Sequence, residues 1–290
     1  MTKTMNVSIT NIPSISAIYF ALLQSGYDYY SIGRTQEQIE AVKSFYKPEL
    51  SSCFFSQAKQ NTCEAYSYWP RTALLESAVF YIDTDIARFS DFGAYKKFVM
   101  SASNLQNTER DNSFWSWISA FPVELNKVVN SEHFKRYLIW ENFWIEQQNK
   151  IHTDALTAVQ EAIETCVNRY NATIDNVNII LSPIKCAYSS DYHIVDNQLV
   201  FSSGAFKPES VIHEFLHHIV HPYILNLQSR ILVSKKYFDG IDSSYYLSDN
   251  DNGKLNAFEE YSVRALTKEI SNRTHPDDLE KYILFLLDEV

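Results

Sequence analysis

Hydrophobic and polar positions in the first part of the chain recur with helical spacing. Ile39, Val42 and Phe45 stand three apart within Arg34–Tyr46, with polar and charged residues between them. Related patterns mark Arg71–Ile82, Phe92–Ala102, Ser113–Phe121 and Glu132–Gln148, and Asp154–Tyr170 keeps Leu156, Val159, Ala162, Ile163 and Cys166 on one face. Ile12–Leu23 reads as a first helix with Pro13 near its N-terminus. Residues 1 to about 173 are therefore expected to be overwhelmingly helical.

The pattern then changes. Val177–Ser182 is short, rich in β-branched residues and closed by Pro183, which predicts a strand. Ile194-Val195 and Leu199-Val200-Phe201 flank Asp196-Asn197 and predict two strands paired around a turn. Pro208-Glu209 opens a helix expected to reach about Val220, with Pro222 as its stop. Further helices are expected over about Leu255–Ser271 and Pro276–Asp288. The fold class is thus α+β, predominantly helical, with two or three strands just upstream of the Pro208 helix. One unit of 290 residues is expected, with a helical lobe over about 1–173 and a core over about 174–290.

Composition narrows the function classes. With 35 acidic against 25 basic residues the formal charge is −10, and no Lys/Arg cluster stands out, so nucleic acid is not expected as a partner. No apolar run approaches the length of a membrane span, and Pro13, Ser14 and Ser16 interrupt the only segment with a faint signal-peptide character. A cytoplasmic location is the expectation. Cys53, Cys63, Cys166 and Cys186 lack metal or redox spacing and read as reduced, packed residues. The aromatic clusters Tyr66–Trp69 and Trp115–Trp117 read as core rather than as a binding groove.

The chemistry concentrates in His213-Glu214-Phe215-Leu216-His217. On a helix, residues four apart share a face, so two imidazoles can meet one ion. Glu214, rotated by about 100°, reaches a water at that ion rather than the ion itself. Ile212, Phe215, Leu216, Ile219 and Val220 fall on the opposite side and supply a buried anchoring face.

A zinc site needs a third protein ligand. The metzincin arrangement is excluded, because Val220 and Tyr223 stand where its glycine and third histidine belong. A glutamate on a later helix is the remaining solution, and Glu259 and Glu260 are adjacent candidates. Glu259 lies near the middle of the stripe Leu255, Phe258, Leu266 and Ile270, where an unpaired carboxylate is costly, and this favours Glu259.

The segments H-E-F-L-H-H-I-V-H-P (213–222) and E-E-Y-S-V-R-A (259–265) resemble a bacterial zincin-like family of unknown function. The pattern from Ile15 to Tyr30 is similar to that family too. The resemblance places the family's glutamate on Glu260, in step with Arg264 and Ala265. It implies a gluzincin site of zinc on His213, His217 and Glu260, with Glu214 as general base. Compared with thermolysin-like peptidases, the chain departs in having Glu259 before the ligand and Arg264 four residues after it.

The expected activity is that of a zinc metallopeptidase acting on a peptide or protein, with Glu214 taking the proton of the activated water. A hydrolase of another amide or ester, a metal-retaining binding module without turnover and a helical scaffold are the rivals. Tyr245, Tyr246, His221, His275, Tyr192 and His193 are candidate oxyanion donors, although a packing or surface role suits each of them. His218 is expected to point away from the ion. Leu199–Phe201 is expected to line the cleft and to receive an extended peptide.

Overall fold

The computed structural model describes residues 5–24, 34–47, 128–185, 187, 190–195, 197–235 and 251–288. The helices expected over 71–82, 92–102 and 113–121 lie outside the described residues. So do Tyr66–Trp69, Trp115–Trp117, Cys53, Cys63, Cys186, Tyr245 and Tyr246.

In chain order the elements are β1 (Val7–Thr10), α1 (Pro13–Gln24), α2 (Gln36–Lys43), α3 (Glu132–Ile151) and α4 (Thr153–Tyr170). Then follow β2 (Asn176–Leu181), β3 (Ser190–Val195), β4 (Gln198–Ser203), α5 (Pro208–Asn226), α6 (Gln228–Val233), α7 (Asp251–Ser271) and α8 (Leu279–Asp288). The architecture is α+β, predominantly helical, with one four-stranded sheet in the order β1-β2-β4-β3. β1, β2 and β4 run parallel, and β3 is antiparallel to β4.

The β3–β4 hairpin pairs Val195 with Gln198 around Asp196-Asn197, and Asn197 takes the φ of 61° that such a tight turn requires. Residues Val177, Ile179 and Leu181 of β2 and Leu199 and Phe201 of β4 alternate onto one face. They join Val159 and Ile163 of α4 and Phe215 and Leu216 of α5 in the main core.

Three expectations need correction. The first described element is a strand, not a helix. Val7 pairs with Val177 and Ile9 with Ile179, so the sheet has four strands and one of them precedes every helix. The backbone N–H and C=O of Ile9 are both taken by the Asn149 amide of α3, which shields that side of a short strand.

Second, α5 does not stop before Pro222 but runs through it to Asn226. Proline has no N–H for the carbonyl four residues back, a cost of about 3 kcal/mol inside a helix. Continuing the helix buries Ile224 and delivers Leu227 to the core, where each side chain contributes roughly 1.5–3 kcal/mol. Burial outweighs the proline.

Third, β4 cannot receive a peptide. It lies between β2 and β3, and Leu199 and Phe201 are fully buried. The strand at that end of the described sheet is β3, which packs beside α5.

Among the described residues, no helix is long and apolar enough to cross a membrane. Cys166 is a buried free thiol in the core.

Candidate metal centre

The spacing of apolar residues in α5 fixes which way its histidines face. Ile212, Phe215, Leu216, Ile219 and Val220 are all buried, against the sheet, α4 and α7. His213 and His217 are turned to the other side and remain partly accessible. α7 packs against α5, and its Glu259 and Glu260 are both buried.

Three donor atoms meet where these helices face each other. His213 Nε2 and His217 Nε2 are 3.3 Å apart, and Glu260 Oε2 lies 3.6 Å from the first and 3.5 Å from the second. Tetrahedral coordination with bonds of about 2.0–2.1 Å places neighbouring donors about 3.3–3.4 Å apart. His213, His217 and Glu260 therefore form a cluster able to hold a metal ion, and a His2Glu set suits a divalent ion such as zinc.

The surrounding bonds orient each donor. Glu259 Oε1 accepts from His217 Nδ1 at 2.9 Å, which leaves the Nε2 lone pair facing the cluster. Glu259 Oε2 accepts from His221 Nδ1 at 2.8 Å. Thr267 donates its hydroxyl proton to the Val263 carbonyl at 2.7 Å, so its oxygen is the acceptor toward His213 Nδ1 at 3.5 Å. Arg264 Nε donates to Glu260 Oε1 at 2.6 Å, and the other oxygen of that carboxylate faces the imidazoles. Glu259 thus stands outside the triad and supports it, while Glu260 stands inside.

Both carboxylates are buried, which by itself raises their proton affinity, yet both are shifted downward. Hydrogen bonds from His213, His217 and Arg264 hold Glu260 well below the usual carboxylate range. Bonds from His217 and His221 lower Glu259. His217 is pushed up to about 9: burial disfavours its charge, but Glu259, Glu260 and Glu214 together outweigh burial.

Glu214 lies in the same cleft, and burial pushes its carboxyl up to about 8, with the His217 charge opposing. Asp191 raises it further and Lys185 lowers it. That lysine is fully buried and bonded to Asp191 Oδ2 at 2.6 Å and Ser202 Oγ at 3.1 Å. The cleft, about 340 Å³, is lined by His213, Glu214, Glu260 and Arg264, with Glu209, Ser210 and Thr267 completing its wall.

Tyr192, on β3, stacks on His217 with ring centroids 5.9 Å apart and planes 9° from parallel. Burial, then Glu259 and Glu214, push its hydroxyl up to about 12, so it stays a proton donor. Strand alternation puts neighbouring His193 on the opposite face of the sheet. His221 reaches the centre only through Glu259. His275 lines a different cavity with Ile212 and Arg273, and His218 lines another with Tyr170 and Tyr223.

Sequence reasoning overlooked Thr267, although it stands seven residues past Glu260 and so two turns along the same helix face. The supporting role of Glu259 was hidden by its candidacy as a ligand.

Comparison with protein-family models, curated proteins and solved structures gives no match. The geometry by itself supports the coarser statement that the His213, His217 and Glu260 cluster is consistent with a zincin-like metal site.

Proposed function

We propose that the protein is a zinc-dependent hydrolase of the gluzincin kind that cleaves peptide bonds. The observation that carries this reading is the triangle of Nε2, Nε2 and Oε2 donors, spaced for a tetrahedral ion, with Glu214 in the same cleft. His213, His217 and Glu260 would hold the ion. When bound, it supplies Lewis-acid activation of water and of a substrate carbonyl.

The protein's own groups do the rest. Glu214, ionised, accepts a proton from the attacking water and returns it to the departing amine. Burial raises its carboxyl to about 8, so a cation on the triad would be what favours the ionised form needed for the first half, while the raised proton affinity makes it a stronger base than an ordinary carboxylate. Glu259 and Thr267 hold the two imidazoles in the tautomer that leaves Nε2 open. Tyr192 walls one face of His217 and keeps bulk water from it. A peptide fits the cleft's setting, because β3 lies alongside α5 at the end of the described sheet.

The test is incubation of a mixture of unstructured peptides with the zinc-loaded protein and with a Glu214→Gln variant, followed by mass spectrometry. New termini are expected with the parent protein and none with the variant at equal zinc content. Equal cleavage by both would remove Glu214 from the mechanism. Zinc binding with no cleavage by either would favour a binding module without turnover.

A further inference from the structure

The row of α7 residues in the cleft continues beyond it. Glu260, Arg264 and Thr267 line the cleft at helical spacing, and Ser271, four residues further on, extends the same face by one turn. Ser271 lines a second cavity of about 420 Å³, larger than the cleft itself. α5 links the two as well, because Glu209, one turn before His213, stands in the wall of both.

That cavity differs from the cleft in its lining. Val159 of α4, Ile212 of α5 and Ile270 of α7 contribute to it and are each no more than 5% exposed. Ala158 and Ala162, one turn apart on α4, present only methyl groups where longer side chains would fill the space. The larger apolar residues of α4, Leu156 and Ile163, are committed to the core. The charged residues of the wall carry both signs, Glu161 and Glu209 against Arg273, so the apolar lining is what an occupant can use. A concave, mostly apolar space of this size is the usual form of a small binding site.

Its distance from the triad follows from helix geometry. Glu209 is four residues before His213, about 6 Å along α5, and Ile270 is ten residues beyond Glu260, about 15 Å along α7. An extended peptide advances about 3.3 Å per residue, so it reaches the cavity roughly two to five residues from the triad.

We propose that the cavity between α4, the start of α5 and the end of α7 is a substrate subsite. It receives one large apolar side chain roughly two to five residues from the bond that is cleaved. The substrate class is an extended polypeptide segment with an aromatic or long aliphatic residue at that spacing, rather than a dipeptide. This rests on the peptide-hydrolase reading above.

The experiment uses the zinc-loaded full chain and uncharged peptides of about twelve residues, built from Ala, Ser and Gly with one Phe moved a position at a time. Mass spectrometry locates each cut. The cut is expected to follow the phenylalanine at one constant spacing within that range. Replacing Phe by Ala is expected to lower kcat/KM by about 10- to 100-fold, the worth of burying one such side chain. Ala158→Trp and Thr165→Trp each put a large ring into the cavity from an exposed position on α4. In both, at zinc content equal to the parent's, the ratio between Phe and Ala peptides is expected to fall to about 1.

Cuts that ignore the position of the phenylalanine, cuts directly beside it, or an unchanged ratio in both variants overturn the proposal. Fluorescence anisotropy of the labelled peptides on zinc-loaded Glu214→Gln keeps the subsite distinct from the reading beneath it. Equal affinity there for Phe and Ala peptides overturns the subsite. A preference for Phe that Ala158→Trp abolishes, with no cleavage by the parent protein, upholds the subsite and overturns the hydrolase reading.

Discussion

Replacing Glu259 by Gln separates the two adjacent glutamates by role. Glu259 accepts from His217 Nδ1 at 2.9 Å and from His221 Nδ1 at 2.8 Å. Gln keeps the length and shape but has one acceptor oxygen and no charge. It can serve one histidine through that oxygen and must turn its NH2 toward the other. A hydrogen bond to a charged group is worth about 1.5–3 kcal/mol, and 1.4 kcal/mol is about a tenfold change in affinity. The exposed His221 can move away at little cost, so the loss falls on the orientation of His217. Zinc affinity is expected to drop by about 10- to 100-fold, as for other residues that support a metal ligand. Glu260→Gln removes a donor of the triad itself and is expected to lose stoichiometric zinc. The assay is competition for zinc against a chromophoric chelator at fixed pH, with circular dichroism to check folding. The reverse order, with Glu260→Gln retaining zinc and Glu259→Gln losing it, would refute the assignment of Oε2 of Glu260 as the third donor.

Two further predictions follow from buried ionisable groups. The proton on metal-free His217 has an affinity raised to about 9 and must leave when a cation binds, so zinc binding is expected to tighten by roughly tenfold per pH unit up to about pH 9. Isothermal titration in buffers of different ionisation enthalpy measures the released proton, and an affinity flat across this range contradicts the assigned bonds. Separately, Glu141 of α3 is fully buried and accepts from Asn11 Nδ2 at 2.9 Å, Ser16 Oγ at 2.5 Å and Tyr137 OH at 2.8 Å. Glu141→Gln sets an amide donor against these donors and is expected to cost about 1–3 kcal/mol in urea unfolding, while a change below about 0.5 kcal/mol would be inconsistent with that cluster.

The parts of the molecule legible from the sequence are those where one strong physical signal acts alone. The face of α5 was readable because five apolar side chains repeat with helical spacing, and the histidines had only the other side left to them. The β3–β4 hairpin was readable from two short apolar runs around Asp196-Asn197. β1 was not, because Val7-Ser8-Ile9-Thr10 is too short to show a period, and its pairing partner lies 170 residues further on. The end of α5 was misjudged because Pro222 is a local signal, whereas Ile224 and Leu227 are buried by distant neighbours. The choice between Glu259 and Glu260 could not follow from the apolar stripe of α7, since Ala257, Phe258, Val263 and Leu266 bury that helix on more than one side. Position relative to two imidazoles decides their roles, and only the packing of α7 on α5 fixes that position.

The most direct test of the metal centre is elemental analysis of the protein purified without added metal or chelator, beside a His213→Ala variant. About one zinc per chain in the parent protein and none in the variant is the predicted result. No stoichiometric metal in the parent, even after incubation with zinc and dialysis, would contradict the account.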